Sequence, residues 1–161
     1  MVLAQLEVPL DVVAAALRGA RAAGATAVLN PAPAADLPPG LLAHCDLVIP
    51  NEHEVERIGG AAAVLAAGAA AVVVTRGGAG ISVHSADGDV DMAAFAVDPV
   101  DTTAAGDAFC GALCARLATG ERLAAALRFA MAAGALATTR TGAVPSLPSA
   151  DEVTALLRRA G

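Results

Sequence analysis

Four short apolar runs alternate with alanine-rich stretches in the first half of the chain, and each is cut off by a charge, a proline or a glycine turn. The runs cover residues 2–6 before Glu7, 27–29 before Asn30-Pro31, 46–49 before Pro50-Asn51, and 71–75 before Arg76-Gly77. Runs of this length suit buried strands, and proline cannot continue a central strand. The stretches between them carry helical spacing: Pro9 suits a first helical turn running to about residue 23, with Gly24 as its stop. A short helix is expected around 39–43, and one of about two turns over 61–67. Residues 81–84 and 90–95, joined through Asp87-Gly88, read as a hairpin. Beyond it the pattern is helical over 104–118 and 121–138, with a last helix announced by the capping-box pair Ser149 and Glu152. Strand–helix alternation of this kind predicts an α/β fold with a mostly parallel sheet. Ligands of such sheets bind beyond the carboxyl ends of the strands, where Glu7, Asn30, Asn51 and Thr75 fall.

Composition then removes whole classes of chemistry. The 161 residues contain 44 Ala and 10 Arg but no Lys, Trp or Tyr. Without lysine there is neither a Walker-type phosphate loop nor a Schiff base. Three Phe offer no stacking platform for single strands, and a net charge of −6 repels a nucleic-acid backbone. No window is long and apolar enough for a membrane span, and the first residues lack the basic start of a signal peptide. Cys45, Cys110 and Cys114 show no metal spacing and do not cluster with His44, His53 or His84. An odd cysteine count without that spacing fits a reducing, cytoplasmic setting.

The segment with most chemical content is Asp101-Thr102-Thr103-Ala104-Ala105-Gly106-Asp107, which runs straight into a helix. Small residues let a ligand approach the backbone, and the first-turn N–H groups have no intrahelical partners, which makes an anion site. Asp107 in that turn is suited to taking a proton from an attacking hydroxyl. On spacing alone, an N-terminal turn and nothing more fits this segment equally well.

Asp-Thr-x-Ala-Ala-Gly-Asp resembles the carboxy-terminal signature of the ribokinase-like (PfkB-type) carbohydrate kinases. Gln5-Leu6-Glu7, Asn30-Pro31-Ala32-Pro33, Pro50-Asn51-Glu52-His53-Glu54, Thr75-Arg76-Gly77-Gly78-Ala79-Gly80 and Thr139-Arg140-Thr141-Gly142-Ala143-Val144-Pro145-Ser146 resemble the family in the same order. The resemblance implies a three-layer α/β/α fold and an ATP-dependent sugar kinase, D-ribose being the favoured acceptor. Asp107 would be the base, with the amides of Ala104, Ala105, Gly106 and Asp107 as the anion hole. Asn51 would meet the nucleotide phosphates and Glu54 would hold Mg²⁺ through water. Thr75, Arg76, Gly77, Gly78, Ala79 and Gly80 would wrap the nucleotide, and Met131 would line the adenine pocket. Asp101, Thr103, Ala137, Arg140, Gly142 and Ser146 match positions that bind an activating monovalent cation, K⁺, and Glu7 matches a sugar contact. No role passes to Asn30.

Plainer readings stand beside these. Glu54 with Glu52 and Glu56 fits a solvated acidic face. Met131 fits the core, and the side chain of Arg140 fits the surface. Gly78-Ala79-Gly80 is a weak dinucleotide-loop lookalike, because a strand rather than a helix follows it. The resemblance places residues 1–161 as the carboxy-terminal nucleotide-binding and catalytic part of a kinase domain. The family's amino-terminal half has no counterpart here, neither its Gly-Gly sugar motif, nor its sugar-clamping aspartate, nor its β-stranded lid. The first strand is therefore expected to form an open edge, prone to self-association or to docking with an amino-terminal half.

Overall fold

The computed structural model describes residues 1–160, which divide into two compact units. The first comprises residues 1–77 and 81–92. Its sheet has six strands in sequential order: β1 (Val2–Ala4), β2 (Ala27–Leu29), β3 (Leu47–Val48), β4 (Ala71–Thr75), β5 (Ile81–Ser85) and β6 (Gly88–Met92). The first four are parallel, and the last two add antiparallel to β4. Connections pass through α1 (Leu10–Ala22), then α2 (Glu52–Arg57) and α3 (Ala61–Ala66).

Burial explains the pattern. β2 is buried at all three positions, and Val72, Val73 and Val74 are buried in β4, so these strands read as uninterrupted apolar runs. Val13, Leu17 and Ala20 of α1 recur at helical spacing and join Leu29, Val48, Val64 and Val72 in one core. Between α2 and α3 the chain turns on Gly59 and Gly60, both at positive φ, where a side chain would strain the backbone. β1 lies at the sheet edge, and Leu3 is 38% exposed there.

Several boundaries differ from the sequence expectation for identifiable reasons. β1 stops at Ala4 rather than at residue 6, because the Leu6 N–H donates to the carbonyl of Ala32 (2.8 Å). Only a 3₁₀ turn, Leu42–His44, forms where a helix over 39–43 was expected, since Gly40 takes a φ of +79°. The hairpin closes on Ser85 opposite Gly88, so its second strand ends at Met92 rather than at residue 95.

The second unit comprises residues 78–80 and 93–161, of which 161 is not described. It contains α4 (Ala105–Ala118), α5 (Leu123–Ala137) and α6 (Ala150–Arg159). α5 starts two residues later than expected: Arg122 is extended, and the Glu121 carboxylate is tied to Arg116. The expected capping box opens α6, with Ser149 accepting from the Glu152 N–H and the Glu152 carboxylate accepting from the Ser149 N–H. Val153 packs with Ala132 and Ala133 of α5. Among the described residues no helix is long and apolar enough to cross a membrane.

Candidate phosphate-handling site

In the first unit the sequence-predicted residues gather at the carboxyl ends of the parallel strands. Asn51 follows β3 and caps α2 through a reciprocal box: its Oδ1 accepts from the Glu54 N–H (2.8 Å), and Glu54 Oε2 accepts from the Asn51 N–H (2.8 Å). The Asn51 amide also donates to Glu54 Oε1 (2.9 Å), so one residue engages both carboxylate oxygens. Glu54 is 7% exposed, whereas Glu52 and Glu56 are exposed, which removes the solvated-face reading for Glu54. Each carboxylate oxygen still has a lone pair for a magnesium-bound water, so Glu54 fits that role.

Thr75 bridges to Asn51, and its N–H donates to the Pro50 carbonyl (2.9 Å), which fixes the end of β4 beside the α2 cap. Arg76 is not pointed freely at solvent: its guanidinium donates to the Ile81 carbonyl (3.2 Å) and to Asp91 (2.8 Å). It thereby closes the base of a turn whose 3₁₀ segment is Gly77–Ala79. Gly77 takes a φ of +51° and Gly80 one of +94°. Glu7 is exposed beyond β1, next in chain to Gln5 and Leu6, which bond to Asn30 and Ala32.

The second unit holds the helix start. Ala104 caps α4 in the left-handed region (φ +60°, ψ 8°), the one non-glycine residue at positive φ among those described. A non-glycine residue there costs about 1–2 kcal/mol. The inverted residue directs the chain into α4, whose first turn exposes Gly106 and Asp107. The Ala105 N–H donates to the Thr102 carbonyl (3.2 Å). Ala104→Gly is expected to leave stability unchanged or raise it by up to about 1 kcal/mol, relief of strain outweighing the entropy of an added glycine. Ala104→Val should lower it by more than about 1 kcal/mol, since branched side chains tolerate positive φ worst. Urea melts of the two variants check both outcomes.

The helix start depends on a residue that the sequence reading passed over. A Cβ built on Gly134 of α5 would stand 3.2 Å from the Ala105 carbonyl oxygen and 3.5 Å from the Phe109 Cβ. A side chain there would force the Ala105 carbonyl to give by a few tenths of an ångström, so hydrogen at that position suits the close approach of α5 to the first turn of α4. Met131, on the same helix, is buried, as its core reading required.

Of the proposed cation residues, Asp101, Thr103 and Gly142 are brought together by hydrogen bonds. The N–H groups of Val100 and Asp101 both donate to the Thr138 carbonyl (2.7 and 3.0 Å). Asp101 accepts from the Gly142 N–H (2.9 Å) and the Thr103 N–H (2.9 Å). Ser146 is fully buried and donates to the Ala143 carbonyl (2.7 Å). The Arg140 guanidinium is tied to Glu152, and the hydrogen bond it donates, followed by the Ser149 bonds, lowers the Glu152 carboxyl to about 2. Ala137 is buried at the end of α5.

The bond from Gly142, then those from Thr103, depress the Asp101 carboxyl to about 2 from 3.8. A depressed carboxyl stabilises the fold fully above its unfolded value and loses that contribution as pH falls through the folded one. Wild type and Asp101→Asn are therefore expected to differ in stability by a constant amount above about pH 5. The gap should close between about pH 4 and pH 2, as acid titrations of the urea midpoint will read.

The first unit has a parallel sheet with a capped Asn–Glu pair at its strand ends, and the second has a helix start bearing an aspartate; each is a feature suited to meeting phosphate oxygens. Comparison with known proteins specifies the kind of protein. The pfkB family carbohydrate kinase model matches residues 2–150, and the chain belongs to that family. It is 38% identical to a ribokinase of Staphylococcus aureus (strain COL) over 94% of this chain and 54% of that protein. Among solved structures it resembles the ribokinase of Thermotoga maritima (TM-score 0.90, 32% identity, 97% of this chain and 56% of that one). It also resembles the Arabidopsis thaliana ribokinase complexed with ribose and ATP (TM-score 0.87, 28% identity, 97% of this chain and 55% of that one). The fold is ribokinase-like, and the chain spans about half the length of these relatives.

Proposed function

We propose that this chain carries the catalytic and nucleotide-handling residues of an ATP-dependent sugar kinase with D-ribose as acceptor. The observation that carries the reading is Asp107 in the first turn of α4, reached through the left-handed Ala104, in a member of a carbohydrate kinase family. In the second unit, Asp107 takes the proton of the sugar's primary hydroxyl as that oxygen attacks the γ-phosphorus. The bond from the γ-phosphorus to the bridging oxygen breaks and ADP leaves. Amides of the α4 start receive the charge on the transferring oxygens, which supplies without lysine the stabilisation that phosphoryl transfer needs.

In the first unit, Asn51 donates to nucleotide phosphates, Glu54 holds a magnesium-bound water, and Glu7 accepts from a sugar hydroxyl. Magnesium supplies charge neutralisation when bound. Met131 borders the adenine, the Thr75–Gly80 turn wraps the nucleotide, and the Asp101, Thr103, Ala137, Arg140, Gly142 and Ser146 set holds K⁺. The setting is the cytoplasm. A coupled ADP-release assay of the purified chain, with D-ribose, D-fructose and ribonucleosides compared as acceptors, tests the reading. The highest kcat/KM is expected with D-ribose, and preference for another acceptor would reassign the substrate.

One observation favours a second reading. The β1 edge is unpaired on one side with Leu3 exposed, so an amino-terminal half or a second copy would complete the sheet. A chain of that kind binds nucleotide without turning it over until the edge is covered. Saturable Mg·ATP binding with no ADP release would mark it.

A further inference from the structure

Asn30 follows β2, and its carboxamide is engaged on both sides. Its Oδ1 accepts from Gln5 Nε2 (2.9 Å), just past β1, and its Nδ2 donates to the Ile49 carbonyl (2.7 Å), just past β3. Its own N–H donates to the Ala4 carbonyl (2.9 Å). One residue thus joins the ends of three parallel strands.

The reason lies in the ladder. Leu29 pairs with Val48, and the Ile49 N–H donates to the Leu29 carbonyl (2.8 Å). Continued by one step, this parallel register sends the N–H of residue 31 to the Ile49 carbonyl. Residue 31 is proline and has no N–H to give. The Asn30 side chain supplies the missing donor, so the ladder is completed one residue beyond the strand. Ile49 is followed by Pro50, whose carbonyl accepts from Thr75, and then by Asn51, the cap of α2. On the other side Gln5 leads through Leu6 to Glu7.

We propose that Asn30 is a positioning residue, its carboxamide standing in for the ladder bond that Pro31 cannot make and so fixing Asn51 with Glu54 on one side and Glu7 on the other. The catalytic consequence rests on the kinase reading, whereas the placement of the strand ends does not. A strand end held by side-chain amides at 2.7 and 2.9 Å keeps the α2 cap in register without a buried unpaired carbonyl.

Three variants test it. Asn30→Ala removes both bonds. Asn30→Asp keeps the shape and the Gln5 bond but turns an acceptor toward the Ile49 carbonyl. The double variant Asn30→Ala/Pro31→Ala returns an N–H to residue 31. Amide hydrogen exchange over residues 49–55 is expected to accelerate about tenfold or more in Asn30→Ala and Asn30→Asp, and to return to within about threefold of wild type in the double variant. In steady state, KM for Mg·ATP is expected to rise about tenfold in Asn30→Asp with kcat within about threefold, because the groups that bind are displaced and the base is not.

Exchange that is unchanged in both single variants overturns the proposal, as does a double variant that exchanges as fast as Asn30→Ala. A loss in kcat alone, with nucleotide KM unmoved, overturns it as well. Accelerated exchange with rescue, in a chain that neither binds nor turns over Mg·ATP, supports the placement by Asn30 and counts against the kinase reading instead. If Asn30→Ala does not fold, Asn30→Asp, which preserves volume and one bond, carries the same test.

Discussion

Asp107→Ala is expected to slow phosphoryl transfer by about 10²–10⁴-fold, the usual contribution of a positioned general base. The affinity for Mg·ATP should change little. Asp107 is exposed in the first turn of α4, and the amides around it belong to the backbone and survive the substitution. A loss confined to kcat separates a base from a binding group, since removing uniform binding would raise KM alone. Asp107→Asn should behave the same way: it keeps the shape and the first-turn position but loses the carboxylate. Single-turnover measurements with saturating nucleotide read the effect directly, and a variant that keeps full rate would remove Asp107 from the role of base.

Asn51→Ala is expected to lower the stability of the first unit by about 2–3 kcal/mol. Loss of a side-chain N-cap costs about 0.5–2 kcal/mol. Beyond that, Glu54 is 7% exposed and loses the Asn51 side-chain donor at 2.9 Å, and a buried charged group left short of partners costs about 1–3 kcal/mol. Asn51→Ser, whose hydroxyl still caps the helix, should recover about half of the loss. Urea melts give the stability. Titration with ATP in the presence and absence of Mg²⁺ gives the function: affinity should fall more with magnesium present, because Glu54 would then be free to leave its place.

What the sequence made legible was local. β2 and β4 appear where expected because each apolar run is bounded by residues that end a strand, Asn30-Pro31 and Arg76-Gly77. The Ser149–Glu152 box could be read as well, since both partners lie within one turn. Asn51 stood at a strand end and the family resemblance marked it with Glu54, yet the burial of Glu54 between exposed Glu52 and Glu56 depends on how α2 sits on the sheet end. The rest needed three dimensions. Gly134 looks like one more small residue in an alanine-rich helix until the Ala105 carbonyl is found beside it. Nothing in an Ala-Ala-Gly run shows which residue takes the left-handed conformation, and it is Ala104 rather than Gly106. Asn30 stood at a strand end without a role, because its partners Gln5 and Ile49 lie 25 and 19 residues away in sequence and meet only through the sheet register. The hairpin boundary moved for a local reason: the Asp87-Gly88 signal located the turn, while the pairing of Ser85 with Gly88 set where the strands begin.

Phosphorus NMR of the purified chain with ATP, D-ribose and Mg²⁺ tests the central claim most directly. A sugar phosphate monoester should appear in step with ADP, and it should be absent with Asp107→Ala. ATP left intact, ATP hydrolysed to ADP and inorganic phosphate with no sugar ester, or equal product from Asp107→Ala would contradict it.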